Sequence, residues 1–457
     1  MRVNSTSVND QFDPSVAALA DGGYVVSWMS YGQDGSGYGI YTQRYGASGA
    51  AMGAEVQVNS TTLSDQSEPT ISALAGGGYV VSWMSDQDGS GYGIYAQRYD
   101  ASGAAVGDEV RVNSTIGNDQ VDPSVAALAD GGYVVSWMSP DLGGNGYGIY
   151  AQRYDASGVT VGDEKRVSST IVNDQVDPSV AALADGGYVV SWMSPDLGGN
   201  GYGIYAQRYD ASGVTVGDEK RVSSTIVNDQ VDPSVAALAD GGYVVSWMSS
   251  SQDGSGWGIY AQRYDASGVA VGDEVRVNST TGDDQDTPTV AGLSDGGYVV
   301  SWMSYGQDGS GWGIYSQRFD ANGNPVVDHL EWTGDASANL IRSTLETDWF
   351  NGGAGADTFQ FAQLPGARAD LITDFTQGSD VLALNTGVFD LQGQSVAQAL
   401  ANVSGVQNEA PGAQLVFNQD DHTLYYDVDG AANGNAVAVV TLIGVANLAA
   451  SDVGLYV

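Results

Sequence analysis

Cysteine is missing from this chain of 457 residues, and histidine occurs only twice, as His329 and His422. The first absence excludes a disulfide framework, a thiolate metal site and a thiol nucleophile. The second leaves no zinc-hydrolase pattern His-Glu-x-x-His. Basic residues are scarce too: 15 Lys and Arg stand against 55 Asp and Glu, a formal net charge of −40. Such a surface repels nucleic acid and anionic lipid and attracts divalent cations and basic partners. The acids are scattered and form no solid run, which fits a folded acidic surface. Long apolar runs are also wanting. The longest, 436–450, is broken by Thr441, Gly444 and Asn447 and is too short to span a bilayer. The first residues, Met1-Arg2-Val3-Asn4-Ser5, carry no charged-then-apolar signal peptide, so an export signal is expected elsewhere.

What is present is repetition. Gly-Gly-Tyr-Val-Val-Ser-Trp-Met-Ser recurs six times, with Trp28, Trp83, Trp137, Trp192, Trp247 and Trp302 at intervals of 55, 54, 55, 55 and 55 residues. A fixed period of that size signals propellers, solenoids or arrays. Within the fifth copy, Tyr243 to Ser249 alternates between two environments, the period of a strand. A short apolar run (232–238) precedes it, and 257–264 and 274–278 supply two further strands. With 64 glycines and 26 tyrosines and no sustained helical period, the chain reads as all-β. Four short strands per unit of about 55 residues predict a six-bladed β-propeller over 1–332. Arg2-Val3-Asn4 is predicted to complete the sixth blade and close the ring.

Repeated blades place repeated loops on one face. The loop between strands two and three gathers Asp34, Asp88, Asp141, Asp196, Asp253 and Asp308, and the connections between blades add the Asp-Gln pairs led by Asp10, Asp65, Asp119, Asp174, Asp229 and Asp284. Asp-Gly tracts are ordinarily turns. The arginines of the Gln-Arg step, Arg44 to Arg318, are expected to pair with an Asp as a register device, and the strand-two tryptophans to be core. Trp257 and Trp312 stand where other copies have Tyr. Beside Asp, Ser and Gly they are candidates for stacking on a sugar ring.

From Gly334 the period falls to nine. Asn339, Asp348 and Asp357 hold equivalent places, as do the apolar Ile341, Phe350 and Phe359. The unit Gly352-Gly353-Ala354-Gly355-Ala356-Asp357-Thr358-Phe359 matches the calcium-binding nonapeptide Gly-Gly-x-Gly-x-Asp-x-U-x. Glycines permit a tight turn whose carbonyls face a hard cation, and the Asp supplies charge. Here the sequence resembles the RTX (repeats-in-toxin) proteins exported by type I secretion. Asp370-Leu371-Ile372-Thr373-Asp374-Phe375 with Gly378 and Asp380, then Leu424-Tyr425-Tyr426-Asp427, are similar to the C-terminal domain of serralysin-type proteases. The ending Asp452-Val453-Gly454-Leu455-Tyr456-Val457 is similar to that family's uncleaved export signal. Only one nonapeptide is intact: the first has Asn339 for Asp, and the second has Ser343, Thr344 and Glu346 for glycines.

The resemblance implies a short parallel β-roll or β-sandwich domain over 333–457. It further implies one or two Ca2+ ions held by Asn339, Asp348, Gly352, Gly353, Gly355 and Asp357, with Asp374 and Asp380 as further ligands. It implies the type I secretion machinery as partner, an extracellular or cell-surface location and a Gram-negative source. Six near-identical copies offer no unique set of residues in different roles, so the expectation is a non-enzymatic secreted protein. Its propeller would bind surface glycans or a cell-surface matrix by multivalency. The alternative is a structural surface-layer or biofilm component, and a propeller hydrolase or lyase ranks third.

Overall fold

The computed structural model describes all residues except 1, 7, 88, 142–145, 170–172, 197–200, 308–309, 327–330, 345–346, 365–368, 405–411 and 428–435. Two compact units result, Met1–Val326 and Val327–Val457.

The first unit is a six-bladed propeller of four-stranded antiparallel sheets, each strand paired to the next in sequence. In blade 5 the strands are Gln230–Ala237, Tyr243–Ser250, Trp257–Tyr264 and Ala270–Arg276. Alternation decides which side chains meet the neighbouring blades. Val245 and Trp247 face one way and pack against blade 4, while Val244 and Met248 face the other and pack against blade 6. Trp83, Trp137, Trp192 and Trp247 are fully buried in such seams. Two glycines turn the chain between the first and second strands. In blade 5, Gly241 sits at φ +88°, and a Cβ on Gly242 would come within 2.2 Å of the Tyr264 carbonyl oxygen.

The register arginines pair within their own blades. Arg44 reaches Asp21 at 2.6 Å, and Arg153 and Arg208 reach Asp130 and Asp185 at 2.5 Å. Blade 2 has Gly76 at the position of those aspartates, and its Arg98 instead donates to the Ala156 carbonyl at 2.6 Å.

Among the described residues, the predicted closure by Arg2-Val3-Asn4 is not found. The sixth sheet ends on its own Pro325–Val326. Val3 and Asn4 are held on blade 1, where the Tyr45 hydroxyl donates to the Val3 carbonyl at 3.3 Å and Asn4 Nδ2 donates to Gln11 Oε1 at 2.7 Å.

In the second unit the chain visits two parallel sheets alternately. One sheet pairs Glu331–Thr333, Trp349–Asn351 and Asp370–Ile372, and the other pairs Leu340–Arg342, Thr358–Phe361 and Val381–Asn385. Leu340 lies opposite Thr358 and Glu331 opposite Trp349, so one circuit takes two nine-residue units. The apolar place of each unit, Ile341, Phe350 and Phe359, is buried in a core shared with Leu382, Phe417 and Val440. The first sheet continues through Val437–Leu442 into an antiparallel pair, Thr423–Tyr426 and Leu415–Asn418. Among the described residues, no helix is long and apolar enough to cross a membrane.

Candidate functional site

The outer-face aspartates are engaged within their own blades. Asp141 and Asp196 each take a two-pronged bond from Arg166 and Arg221, at 2.9 and 2.9 Å and at 2.9 and 2.8 Å. Tyr150 and Tyr205 add a hydroxyl donor to each, at 3.2 and 3.1 Å. Asp34 and Asp253 accept from Asn59 and Asn278 and cap their own turns through the amides of Ser36 and Ser255. Asp88 and Asp308 lie outside the described residues. The connection aspartates pin each loop to the next blade: Asp65, Asp119, Asp174, Asp229 and Asp284 accept from the amides of Tyr38, Tyr92, Tyr147, Tyr202 and Trp257 at 2.9 to 3.1 Å. Trp257 is half-buried against the blade 5–6 seam, whereas Trp312 is 50% exposed and meets Tyr305 edge-on at 5.3 Å. The structure brings these aspartates to one face and spends their oxygens on turns and ion pairs.

A second set of acids lies on the innermost strands. Each of those strands bulges at the step before a proline, an acid in five of the six, where the register with strand two slips. Asp13, Glu68, Asp122, Asp177, Asp232 and Thr287 all take φ between +48° and +54° there, a conformation that costs energy for any residue with a Cβ. Bulges re-aim side chains. Here Asp13, Glu68, Asp122 and Asp177 line a cavity of about 430 Å³ at the propeller's centre, with Pro14, Pro69, Pro123, Pro178 and Pro233. Burial, then a hydrogen bond and charge from Asp122, push the Glu68 carboxyl up to about 8. Burial and the charges of Asp122 and Asp232 push Asp177 up to about 6, and burial beside Asp286 raises Asp232. One Glu68 oxygen, Oε2, is buried without a hydrogen-bond partner. In the sequence these positions look like part of a plain apolar strand, 232–238 in blade 5. Their signal is nonetheless visible: an acid stands before proline in five of six otherwise apolar inner strands.

In the second unit the predicted calcium residues form a ladder. Asp357 Oδ1 accepts from the Asn339 amide at 2.8 Å, and Asp380 accepts from the amides of Asp357 and Thr376 at 2.9 and 2.7 Å. On the alternate sheet, Asp348 accepts from the Thr344 amide at 2.6 Å and itself donates its amide to Asp370 at 2.9 Å. Asp374 holds the amides of Gly352 and Gly353, both at 2.8 Å. Gly355, at φ +143°, lies where a Cβ would meet the Ser337 carbonyl oxygen at 2.6 Å, and a Cβ on Gly352 would meet Asp357 Oδ2 at 2.5 Å. That Oδ2 atom is buried and unpartnered, which leaves one carboxylate oxygen free to ligate a cation. Among the described residues, no cluster of three or more His, Cys, Asp or Glu side chains stands ready for a metal.

No protein-family model matches the chain, and no curated protein matches it by sequence. Solved structures do. The chain is similar to a GH93 α-L-arabinofuranosidase of Fusarium graminearum in complex with arabinobiose, at 12% identity and a TM-score of 0.47, covering 70% of this chain and 96% of that one. It is similar to an α-L-arabinanase of Penicillium chrysogenum complexed with arabinobiose, at 15% identity and a TM-score of 0.47, covering 68% and 93%. A protein of unknown function from Dyadobacter fermentans is similar at 13% identity and a TM-score of 0.45, covering 67% and 93%. The two enzymes among them are not RTX proteins. The expectation of a non-enzymatic, adhesive propeller is corrected by these findings: two of the three similar structures are glycoside hydrolases, and the likeness to them is one of fold. Its premise, six copies of the same residues, fails as well: at the inner-strand position the copies differ, with Glu68 once and Thr287 once among four aspartates.

Proposed function

We propose that the propeller is a glycoside hydrolase that works at its central cavity, with Glu68 as proton donor and Asp122 as the carboxylate beside it. The observation that carries this reading is the Glu68–Asp122 pair. Two carboxyl groups share one cavity, and burial together with the neighbouring acid keeps one of them protonated at neutral pH. Hydrolysis of a glycosidic bond needs such a division: an acid to protonate the leaving oxygen, and a carboxylate to stabilise or attack the sugar cation or to activate water. Glu68 is also the longest side chain at its position in the six copies, which gives the cavity a direction that a sixfold-equal ring would lack. Asp177 and Asp13 flank the pair and favour a ligand rich in hydroxyl groups.

The experiment is hydrolysis of a panel of chromogenic aryl glycosides, α-L-arabinofuranoside among them, by the full chain. Glu68→Gln should lower kcat by about 100-fold or more, and Asp122→Asn comparably. The wild-type rate should fall as pH rises through about 8, where the Glu68 proton is lost. A panel without turnover, or Glu68→Gln at the wild-type rate, would count against the reading.

The RTX resemblance and the unpartnered Asp357 oxygen support a calcium-binding second unit, in a protein exported to the cell exterior by the type I machinery. Bound calcium would neutralise buried acid there, and its ligands would centre on Asp357 and Asn339. Isothermal titration should show calcium uptake by the full chain that Asp357→Asn weakens. Absence of heat at millimolar calcium would overturn this part alone.

A further inference from the structure

Five of the propeller's seams lie inside the chain, and they share one construction. At each, the central isoleucine of strand three (Ile40, Ile94, Ile149, Ile204 and Ile259) is 0% exposed. Its amide donates to the side chain of Asn59, Asn113, Ser168, Ser223 or Asn278 at 2.7 to 3.2 Å. Its carbonyl accepts from Val58, Val112, Val167, Val222 or Val277 at 2.6 to 2.8 Å. On the opposing blade the inner-strand aliphatics Ile71, Val180, Val235 and Val290 are 7% to 8% exposed.

At the two ends of the array both halves of this construction are bare. Ile314, the sixth isoleucine, is 75% exposed, and among the described residues neither its amide nor its carbonyl has the partner its five equivalents have. Val16, the first inner-strand valine, is 66% exposed, with Phe12 on the same strand at 44%. The chain therefore carries one unfilled half-seam of each kind. It also carries the closing piece. Val3-Asn4 precedes blade 1 as Val58-Asn59 precedes blade 2, and Asn4 bonds Gln11 as Asn59 bonds Gln66.

We propose that the two half-seams are filled by a second copy of this chain, the Ile314 face of blade 6 in one molecule taking the Val16 face and the Val3-Asn4 segment of blade 1 in the next. The five internal seams show what this surface packs against: a blade of the same sequence, presented in this order. Nothing in the pairing is self-complementary, so the contact is head-to-tail and propagates to a ring or an open filament. The apolar pair supplies burial, and the Ile314 end of strand three, which lies beyond its pairing with Pro325–Val326, offers the amide and the carbonyl that the internal seams bond to an Asn or Ser side chain and a Val amide. The proposal is independent of the hydrolase reading.

Sedimentation velocity on the full chain over a wide concentration range tests it, with Ile314→Lys and Val16→Lys as variants. Both positions are solvent-exposed in the single chain, and circular dichroism should show each variant folded like the wild type. The wild type should gain mass with concentration, and each variant alone should stay at the mass of one chain. An equimolar mixture of the two should stop at twice that mass, since Val16→Lys keeps an intact blade 6 face and Ile314→Lys an intact blade 1 face. A wild type that remains a single chain throughout would overturn the proposal, the more so if hydrogen exchange finds the Ile314 amide protected, because the ring would then close on itself. A wild type that associates while the mixture stays at one chain would place the contact elsewhere and overturn it equally.

Discussion

The propeller and the second unit use aspartate for opposite purposes. In the propeller, aspartates at the rim meet cations and turn amides at the surface: Asp21 with Arg44, Asp130 with Arg153, Asp185 with Arg208. In the second unit Asp348, Asp357, Asp370 and Asp380 are at most 3% exposed and bind main-chain amides. The difference follows from topology. An antiparallel blade pairs its own amides strand against strand and calls on its acids only at turns, loop ends and ion pairs. A chain that alternates between two parallel sheets turns a corner every nine residues, and the amides at each corner need an acceptor from the neighbouring coil. A buried carboxylate is a strong acceptor, and removing it strands its donors.

The sharpest way to break this comparison is Asp380→Ala. It leaves the amides of Asp357 and Thr376 without their acceptor. The loss should be about 3 kcal/mol in the stability of the second unit, read as a lower urea midpoint for its transition. A loss below about 1 kcal/mol would show that water replaces the carboxylate and that burial is not the deciding factor. Next in size comes Asp141→Ala in the propeller. It deprives the Arg166 guanidinium, whose side chain is 20% exposed, of a two-pronged partner. The cost should be about 1 to 2 kcal/mol, and Asp141→Asn should recover part of it by keeping an oxygen acceptor.

How much of this was legible beforehand divides along the same line. Period and alternation announce the blades, because a seam needs an apolar residue at every second position and the sequence supplies Tyr-x-Val-x-Trp in each copy. The period of nine announces the alternating strands of the second unit in the same way, through Ile341, Phe350 and Phe359. What stays hidden is where acids point. Asp34 and Asp13 are both aspartates near the same face; only the bulge at the acid-proline step sends Asp13 to the axis. Equally hidden is the state of the sixth seam. Ile314 sits in the same local sequence as the buried Ile259, and its exposure depends on a neighbour that the strand itself does not encode.

A smaller effect should separate the cavity acids from those of the rim. Glu68 has its folded carboxyl raised from an ordinary 4.5 to about 8. The folded propeller therefore holds this proton more tightly than the unfolded chain does. The stability it contributes is complete in acid, and it drains away as pH rises from about 4.5 through about 8. Between pH 6 and pH 9 the propeller melting temperature should fall by ~2–4 °C, and Glu68→Gln, which carries no titrating proton, should flatten that slope. A slope unchanged in the variant would locate the pH dependence in other groups, Asp177 and Asp232 being the nearest with raised values.

The smallest effect belongs to the rim. Asp21 pairs with Arg44 at 2.6 Å, yet its side chain is 46% exposed, and solvent and salt screen such a pair. Its carboxyl is held below the usual range first by the Gly23 amide and then by Arg44, so the turn and the ion pair share the aspartate. Blade 2 already carries the experiment, since Gly76 replaces that aspartate and Tyr79, Val81 and Trp83 stay buried all the same. Asp21→Gly should accordingly leave the propeller's urea midpoint within error of the wild type, and Asp21→Ala should fall only slightly below it. A clear loss in Asp21→Gly would mean that rim aspartates hold the blades together after all, and the contrast with the buried acids of the second unit would collapse.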